Sequence, residues 1–454
     1  MTEQADVVVI GMGPGGEDAA ANLAQAGLDV VGIEKELLGG ECPYWACVPT
    51  KMMVRATDLL AEAGRVTGMA GRATVSPDWS PVARRIRDDA TDNWDDKVAV
   101  ARFEQLGGRF VRGEGRLEGP GRVSVDGTTF EVSRAVVVAT GTRPAIPPVP
   151  GLDEVEYWNN RGAVKTEEVP SSLVVMGGGS VGCEFSQVFA RYGSRVTLVE
   201  GLHHLLPNED VEACQLLQRI FAGEGIDVRT GAKAERVERD GDGISVTLDD
   251  GTKVSGERLL VATGRRADLA AIGVSSLGLD EKAKWLEVDD HLRVRGTDRV
   301  WAIGDVTGGG FTHVATYHAG IAVADILGEE VPGAEDVAVP RVTFTDPEVG
   351  AVGLTERAAR EQGIDVRTGT SQIPESARGW IHKAGNDGLI KLVEDAGRGV
   401  LVGATSVGPV GGEVLSMLTL AVHARLPTAD LRRMVYAYPT FHRAVEDALR
   451  DLAG

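Results

Sequence analysis

The chain has 454 residues and a formal net charge of −20, with 47 Lys and Arg against 67 Asp and Glu, and it carries 4 cysteines. That length exceeds one core and suits three domains of ordinary size. The acidity excludes nucleic acid as a partner, since phosphate contact needs concentrated Lys and Arg, and so few cysteines exclude a secreted disulfide framework. No apolar run approaches the roughly 18 residues of a membrane span, and no basic and apolar leader precedes the first strand, so a cytoplasmic location is expected.

The first element is a strand over Val7-Val8-Val9-Ile10, an unbroken β-branched run. It leads into Gly11-Met12-Gly13-Pro14-Gly15-Gly16, then a helical stretch rich in Ala and Leu, then a second strand ending at Glu34, 18 positions after Gly16. Glycines at this spacing allow a tight turn and let backbone approach a pyrophosphate at the helix N-terminus, while the terminal carboxylate accepts from a ribose hydroxyl.

Next comes Gly39-Gly40-Glu41-Cys42-Pro43-Tyr44-Trp45-Ala46-Cys47-Val48-Pro49-Thr50-Lys51. Two thiols that close into a disulfide need their Cα atoms about 4.4 to 6.8 Å apart, whereas five positions of straight helix rise about 7.5 Å, so a distortion is expected, with Pro43 as its source. A cysteine at a helix N-terminus has its thiolate favoured by unpaired N–H groups. Zinc would need further Cys or His ligands nearby, and none follow; no metal is expected. Tyr44 and Trp45 can narrow a thiol pocket, offer a stacking face, or simply pack.

Ala135-Val136-Val137-Val138-Ala139-Thr140-Gly141 reads as a buried strand entering a small-residue turn, followed by a connector stiffened by Pro144, Pro147, Pro148 and Pro150. The first pattern then recurs: strand Leu173-Val174-Val175-Met176, Gly177-Gly178-Gly179-Ser180-Val181-Gly182, a helix, and Arg195-Val196-Thr197-Leu198-Val199-Glu200, the carboxylate again 18 positions after the third glycine of the fingerprint. One such motif is weak evidence. Two in register, each with its strands, helix and carboxylate, predict two dinucleotide sites. Leu259-Leu260-Val261-Ala262-Thr263-Gly264 closes the second unit as 135–141 closes the first, and Val300-Trp301-Ala302-Ile303-Gly304-Asp305 is a further strand ending in an acid able to bind hydroxyls. From about Val337 the fingerprint disappears and strands alternate with helices.

Together these residues resemble the FAD-dependent pyridine nucleotide-disulfide oxidoreductases of the glutathione reductase, lipoamide dehydrogenase and mercuric reductase kind, over nearly the whole chain. The resemblance implies an α/β fold with two Rossmann-like dinucleotide-binding domains and a C-terminal α+β dimerisation domain. It divides the chain into 1–150 (FAD-binding, first part), 151–267 (NAD(P)-binding), 268–336 (return to the FAD-binding domain) and 337–454 (dimer interface). It places FAD on Gly11, Gly13, Pro14, Gly15, Gly16, Glu34, Lys35, Gly40, Lys51, Gly115, Thr140, Gly141 and Asp305. The nicotinamide coenzyme falls on Gly177, Gly179, Ser180, Val181, Gly182, Glu200 and Gly264. Glu200 favours NADH over NADPH, because a carboxylate repels a 2'-phosphate and the next arginine is Arg219.

By the same resemblance Cys42 exchanges with substrate, Cys47 contacts the flavin, and Lys51, one turn beyond Cys47, pairs with Glu184. The implied relay runs from nicotinamide to flavin to the disulfide, after which Cys42 attacks an acceptor. One part of the pattern is missing. Where disulfide-reducing members carry His-Pro-Thr-x-x-Glu, this chain has Tyr438-Pro439-Thr440-Phe441-His442-Arg443. A tyrosine of ordinary pKa near 10 mainly donates, and arginine cannot accept a proton, so acid–base work must change. Tyr438 is expected to be donated across a homodimer, with Arg443 favouring an anion or a thiolate. The acceptor is expected to be a small-molecule disulfide, a quinone or a metal-thiolate. Mercuric reductases share the tyrosine but end in a vicinal Cys pair, absent here, and Cys183 and Cys214 read as core filling. The alternatives are a diaphorase that bypasses the thiols and a non-enzymatic redox-sensing flavoprotein. Tyr438-Pro439 is a candidate cis bond.

Overall fold

The computed structural model describes residues 1–453, which fall into two compact units. The first comprises Met1–Pro49, Arg84–Ala145 and Gly264–Glu335; the second comprises Thr50–Ala83, Ile146–Thr263 and the chain from Asp336 on.

In the first unit, strand Thr2–Ile10 lies between Val30–Glu34 and Thr128–Val138, with Arg109–Arg112 outside Val30–Glu34. All four run parallel, and Val300–Ala302 adds a fifth beside Val136–Val138. The apolar run at 7–10 is explained by burial on both faces, as expected of a central parallel strand. Val7 and Val9 pack with Ala19, Ala20, Leu23 and Ala319, whereas Val8 and Ile10 pack with Leu117, Val123 and Phe130.

The second unit repeats the plan. Asp227–Thr230, Arg195–Glu200, Ser172–Met176 and Arg258–Val261 form a parallel sheet in the order third, second, first and closing strand. A three-stranded antiparallel meander, Ala234–Asp240, Gly243–Leu248 and Lys253–Gly256, precedes the closing strand. After Asp336 the chain builds a five-stranded antiparallel sheet in which Val400–Gly408 is central. Helices Gly411–His423 and Ala444–Asp451 supply Leu415, Leu418, Val445 and Leu449 to its core. Among the described residues no helix is long and apolar enough to cross a membrane.

Candidate active site

Each fingerprint forms the turn that its glycines permit. Gly11 has φ +93°, and a Cβ built there would lie 2.6 Å from Ala139 O; one on Gly16 would lie 2.0 Å from Gly11 O. At the second site the corresponding contacts are 2.3 Å from Gly177 to Ala262 O and 1.8 Å from Gly182 to Gly177 O. Gly13 and Gly179 differ: each stands at the N-cap of its helix, and a Cβ on either meets nothing within 4 Å. The outer glycines are needed for packing, and the middle one leaves room in front of a helix N-terminus.

The two carboxylates are held alike. Glu34 accepts from Met12 N at 2.9 Å and Glu36 N at 2.8 Å; Glu200 accepts from Gly178 N at 2.6 Å and Leu202 N at 2.7 Å. A carboxylate has about four lone-pair sites, so capacity for sugar hydroxyls remains. Burial raises the Glu34 carboxyl above its ordinary range.

The first site fits FAD on this chain's own features. The space over Gly13 suits a phosphate, Glu34 is poised as an acceptor, and the buried Thr140 hydroxyl, beside Gly11, has no hydrogen-bond partner. Gly40, at φ +67°, stacks its backbone against Gly13, and Gly115 is packed under Ile10. Asp305 accepts from Thr142 Oγ1 at 3.0 Å, which in turn accepts from Arg265 Nε at 2.8 Å, while Gly264 O receives Ala145 N. Lys35 is exposed and paired with Glu114, and Gly15 packs against Ala315. At the second site Val181 is exposed, and Ser180 Oγ is 2.8 Å from Thr343 Oγ1.

Gly13→Val is expected to abolish flavin retention while leaving the apoprotein fold intact, because its φ of −69° suits any residue and only open space is filled. Gly16→Ala is expected to damage the fold itself. Absorbance at flavin wavelengths, set against circular dichroism of the same samples, separates the two; a fully yellow Gly13→Val protein would remove Gly13 from the site.

The cysteines sit on either side of a helix break. Cys42 lies in the short helix Glu41–Tyr44, Trp45 and Ala46 leave helical geometry, and Cys47 heads the 19-residue helix Cys47–Arg65. Both cysteines are half-buried, and Cys47 Sγ is 3.5 Å from Thr312 Oγ1. The distortion assigned to Pro43 occurs instead at Trp45-Ala46: Pro43 is the third residue of the short helix, where a missing N–H has no carbonyl to bond. Trp45 is 8% exposed and stacks on Trp94, so it packs and offers no open stacking face.

Lys51 Nζ donates to Glu184 Oε2 at 2.7 Å, and Glu184 Oε1 accepts from Phe344 N at 2.9 Å. Glu184 is 5% exposed. The sequence held no signal for the polar seam that extends from this pair. Positions 51, 58 and 65 repeat every seven residues along one helix, and 184, 187 and 191 share a face of the other. Gln187 exchanges two hydrogen bonds with the backbone of Asp346, and the Asp346 carboxylate receives Arg65 at 2.6 Å and Arg191 at 2.7 Å. Burial first, and the neighbouring Asp346 charge second, raise Asp58 to about 6.

Near the C-terminus the Tyr438-Pro439 bond is cis, as is Asp346-Pro347. Tyr438 is 70% exposed, with the Arg443 guanidinium 5.4 Å from its ring centroid, and Arg443 also pairs with Glu446 at 3.1 Å. His442 lies beside Thr440 and Tyr436. Cys183 and Cys214 are buried and donate to Gly178 O and Leu206 O; burial raises the Cys183 thiol and pushes Cys214 up to about 12. Neither is a ready nucleophile.

Two dinucleotide folds, one with a cysteine pair at the head of a helix whose half-buried Lys51 pairs with the buried Glu184, define a flavin-dependent, nicotinamide-using redox enzyme. Residues 5–324 match the family described as pyridine nucleotide-disulphide oxidoreductase, and residues 339–449 match its dimerisation domain. The chain belongs to that family, whose members are FAD-dependent and use NAD(P)H. It is 33% identical to a dihydrolipoyl dehydrogenase of Chlorobaculum tepidum, covering 99% of this chain and 97% of that one. It is 32% identical to a mercuric reductase of Bacillus cereus, covering 98% of this chain and 71% of that one. Among solved structures, LpdA from Mycobacterium tuberculosis superposes with a TM-score of 0.86 at 27% identity, covering 98% of this chain and 99% of that chain. The HOCl-induced flavoprotein disulfide reductase RclA from Escherichia coli also gives 0.86, at 25% identity and the same coverage.

Proposed function

We propose that this protein is a homodimeric, NADH-preferring reductase that delivers two electrons through a Cys42–Cys47 disulfide to a small disulfide or other thiol-reactive acceptor. The observation that carries the proposal is the pair of cysteines set across a helix break, with Cys47 at the head of the helix bearing Lys51. Bound FAD supplies two-electron transfer between a nicotinamide and that pair. The chain's groups do the rest. The helix N-terminus favours the Cys47 thiolate, Cys42 attacks the acceptor, and the Lys51 ammonium is held at a fixed point by Glu184. Glu200 disfavours a 2'-phosphate. The match to the dimerisation domain supports the homodimer, in which Tyr438 donates a hydrogen bond to the leaving group and Arg443 holds an anionic acceptor.

Tyr438 and Arg443, neither a base at neutral pH, favour a second reading: direct reduction of quinones or metal-thiolates without the thiols. Anaerobic alkylation before and after one equivalent of NADH tests the choice. The thiol route requires Cys42 and Cys47 to become labelled only after NADH, together with a long-wavelength absorption band. Labelling that ignores NADH leaves the second reading standing.

A further inference from the structure

The segment that contacts the cysteine loop from the side has an unusual backbone. After a single π-helical turn over Ile86–Ala90, three consecutive residues, Asp92, Asn93 and Trp94, all have positive φ, at 47°, 54° and 57°. Asn and Asp tolerate the left-handed region, but a bulky tryptophan there is an outlier, and such runs persist only where their surroundings over-determine them. The surroundings here do so at both ends. Buried Thr91 donates its hydroxyl to Arg87 O at 3.0 Å and accepts Trp94 N at 3.3 Å. Buried Asp96 accepts from Leu38 N at 2.6 Å and pairs with Arg112.

What this anchored turn presents is the Trp94 indole. Its ring stacks on Trp45, with centroids 5.5 Å apart and planes inclined by 18°. Its Nε1–H donates to Tyr44 O at 3.3 Å. Residues 44 and 45 are the middle of the four that separate Cys42 from Cys47, and the Tyr44 carbonyl is one that the end of the short helix leaves without an intrahelical donor. The contact therefore falls inside the loop that joins the two cysteines.

We propose that Trp94 is a positioning residue for the cysteine pair, a clamp whose strained turn holds the Tyr44-Trp45 bend so that the two sulfurs stay near bonding distance in the dithiol as well as the disulfide. This rests on the reading of Cys42 and Cys47 as a redox couple. Closure removes two protons and two electrons from the thiols as the Sγ–Sγ bond forms, and glutathione disulfide takes them up to give two glutathione thiols. Holding the sulfurs together raises their effective concentration and so favours closure.

The test equilibrates the full-length holoprotein in glutathione buffers and reads the oxidised fraction by differential alkylation of Cys42 and Cys47. Trp94→Ala is expected to shift the equilibrium about tenfold toward the dithiol, about 30 mV for a two-electron couple. Trp94→Phe, which keeps a ring but loses the N–H, is expected to shift it about threefold. This graded rescue distinguishes a clamp from general loosening. If Trp94→Ala does not accumulate folded, Trp94→Phe decides alone. Equilibria equal to wild type, or moved toward the disulfide, overturn the clamp. A wild-type protein that forms no Cys42–Cys47 disulfide at any buffer ratio overturns the redox-couple reading instead.

Discussion

Replacing Cys47 by serine is expected to lower disulfide turnover by at least about a thousandfold, equivalent to roughly 4 kcal/mol of transition-state stabilisation. Electron transfer from NADH to a quinone or dye should persist within about threefold. The asymmetry follows from placement. Cys47 heads its helix and lies against Thr312, whereas the groups that distinguish the nucleotide sites, from Gly11 to Glu34 and Gly177 to Glu200, lie on other elements. A serine hydroxyl keeps the helix start and the Thr312 contact but forms no bond to the Cys42 sulfur, so the two-electron store disappears while flavin binding does not. Stopped-flow measurement of both acceptor classes is the check. Disulfide turnover surviving in Cys47→Ser would put the thiol pair outside the reaction.

The largest effect on stability is expected at Lys391. This lysine is 2% exposed and points from strand Leu389–Asp395 at three carboxylates: Glu212 at 2.8 Å, Glu356 at 2.8 Å and Asp210 at 3.3 Å. Asp210 is itself buried and also accepts from Thr405 Oγ1 and Glu356 N. Lys391→Met keeps the apolar stem but leaves Asp210 as an uncompensated buried charge, which costs about 3 to 5 kcal/mol. Without the ammonium three carboxylates face one another, and like-charge repulsion is greatest where all are ionised, so the penalty grows with pH. The deficit should therefore be larger at pH 8 than at pH 5. Urea midpoints at the two pH values measure it, and coincident curves for variant and wild type at pH 8 would show that the lysine stabilises nothing.

The fold was legible wherever local pattern and tertiary demand coincide. Val7 to Ile10 and Leu173 to Met176 read as central strands because burial on both faces leaves no polar position, and the glycines between strand and helix read as turns because 2.0 Å and 1.8 Å contacts exclude any side chain at Gly16 and Gly182. Tyr438-Pro439 and Asp346-Pro347 are both cis; each carries the same X-Pro signal, and only the first was expected. The helix break was legible as a need and misplaced in position. Disulfide geometry demands it, but the bend lies at Trp45-Ala46, where the stack on Trp94 and the bond to Tyr44 O come from a segment fifty residues away. The seam through Asp58, Arg65, Gln187, Arg191 and Asp346 was hidden for the same reason: charges on a helix face usually meet water, and only the Phe344 to Pro347 loop turns these inward.

If Glu200 takes the coenzyme ribose as proposed, the way it is tethered limits how this enzyme can change its coenzyme. Both of its oxygens receive main-chain N–H groups, one from the glycine turn and one from the segment beyond the strand. An arginine at 200 would remove a repulsive charge and also take away the acceptor of the Gly178 and Leu202 N–H groups, the first of them buried. Retuning toward a phosphorylated coenzyme therefore calls for at least two coordinated substitutions, one to greet the phosphate and one to replace the lost acceptor.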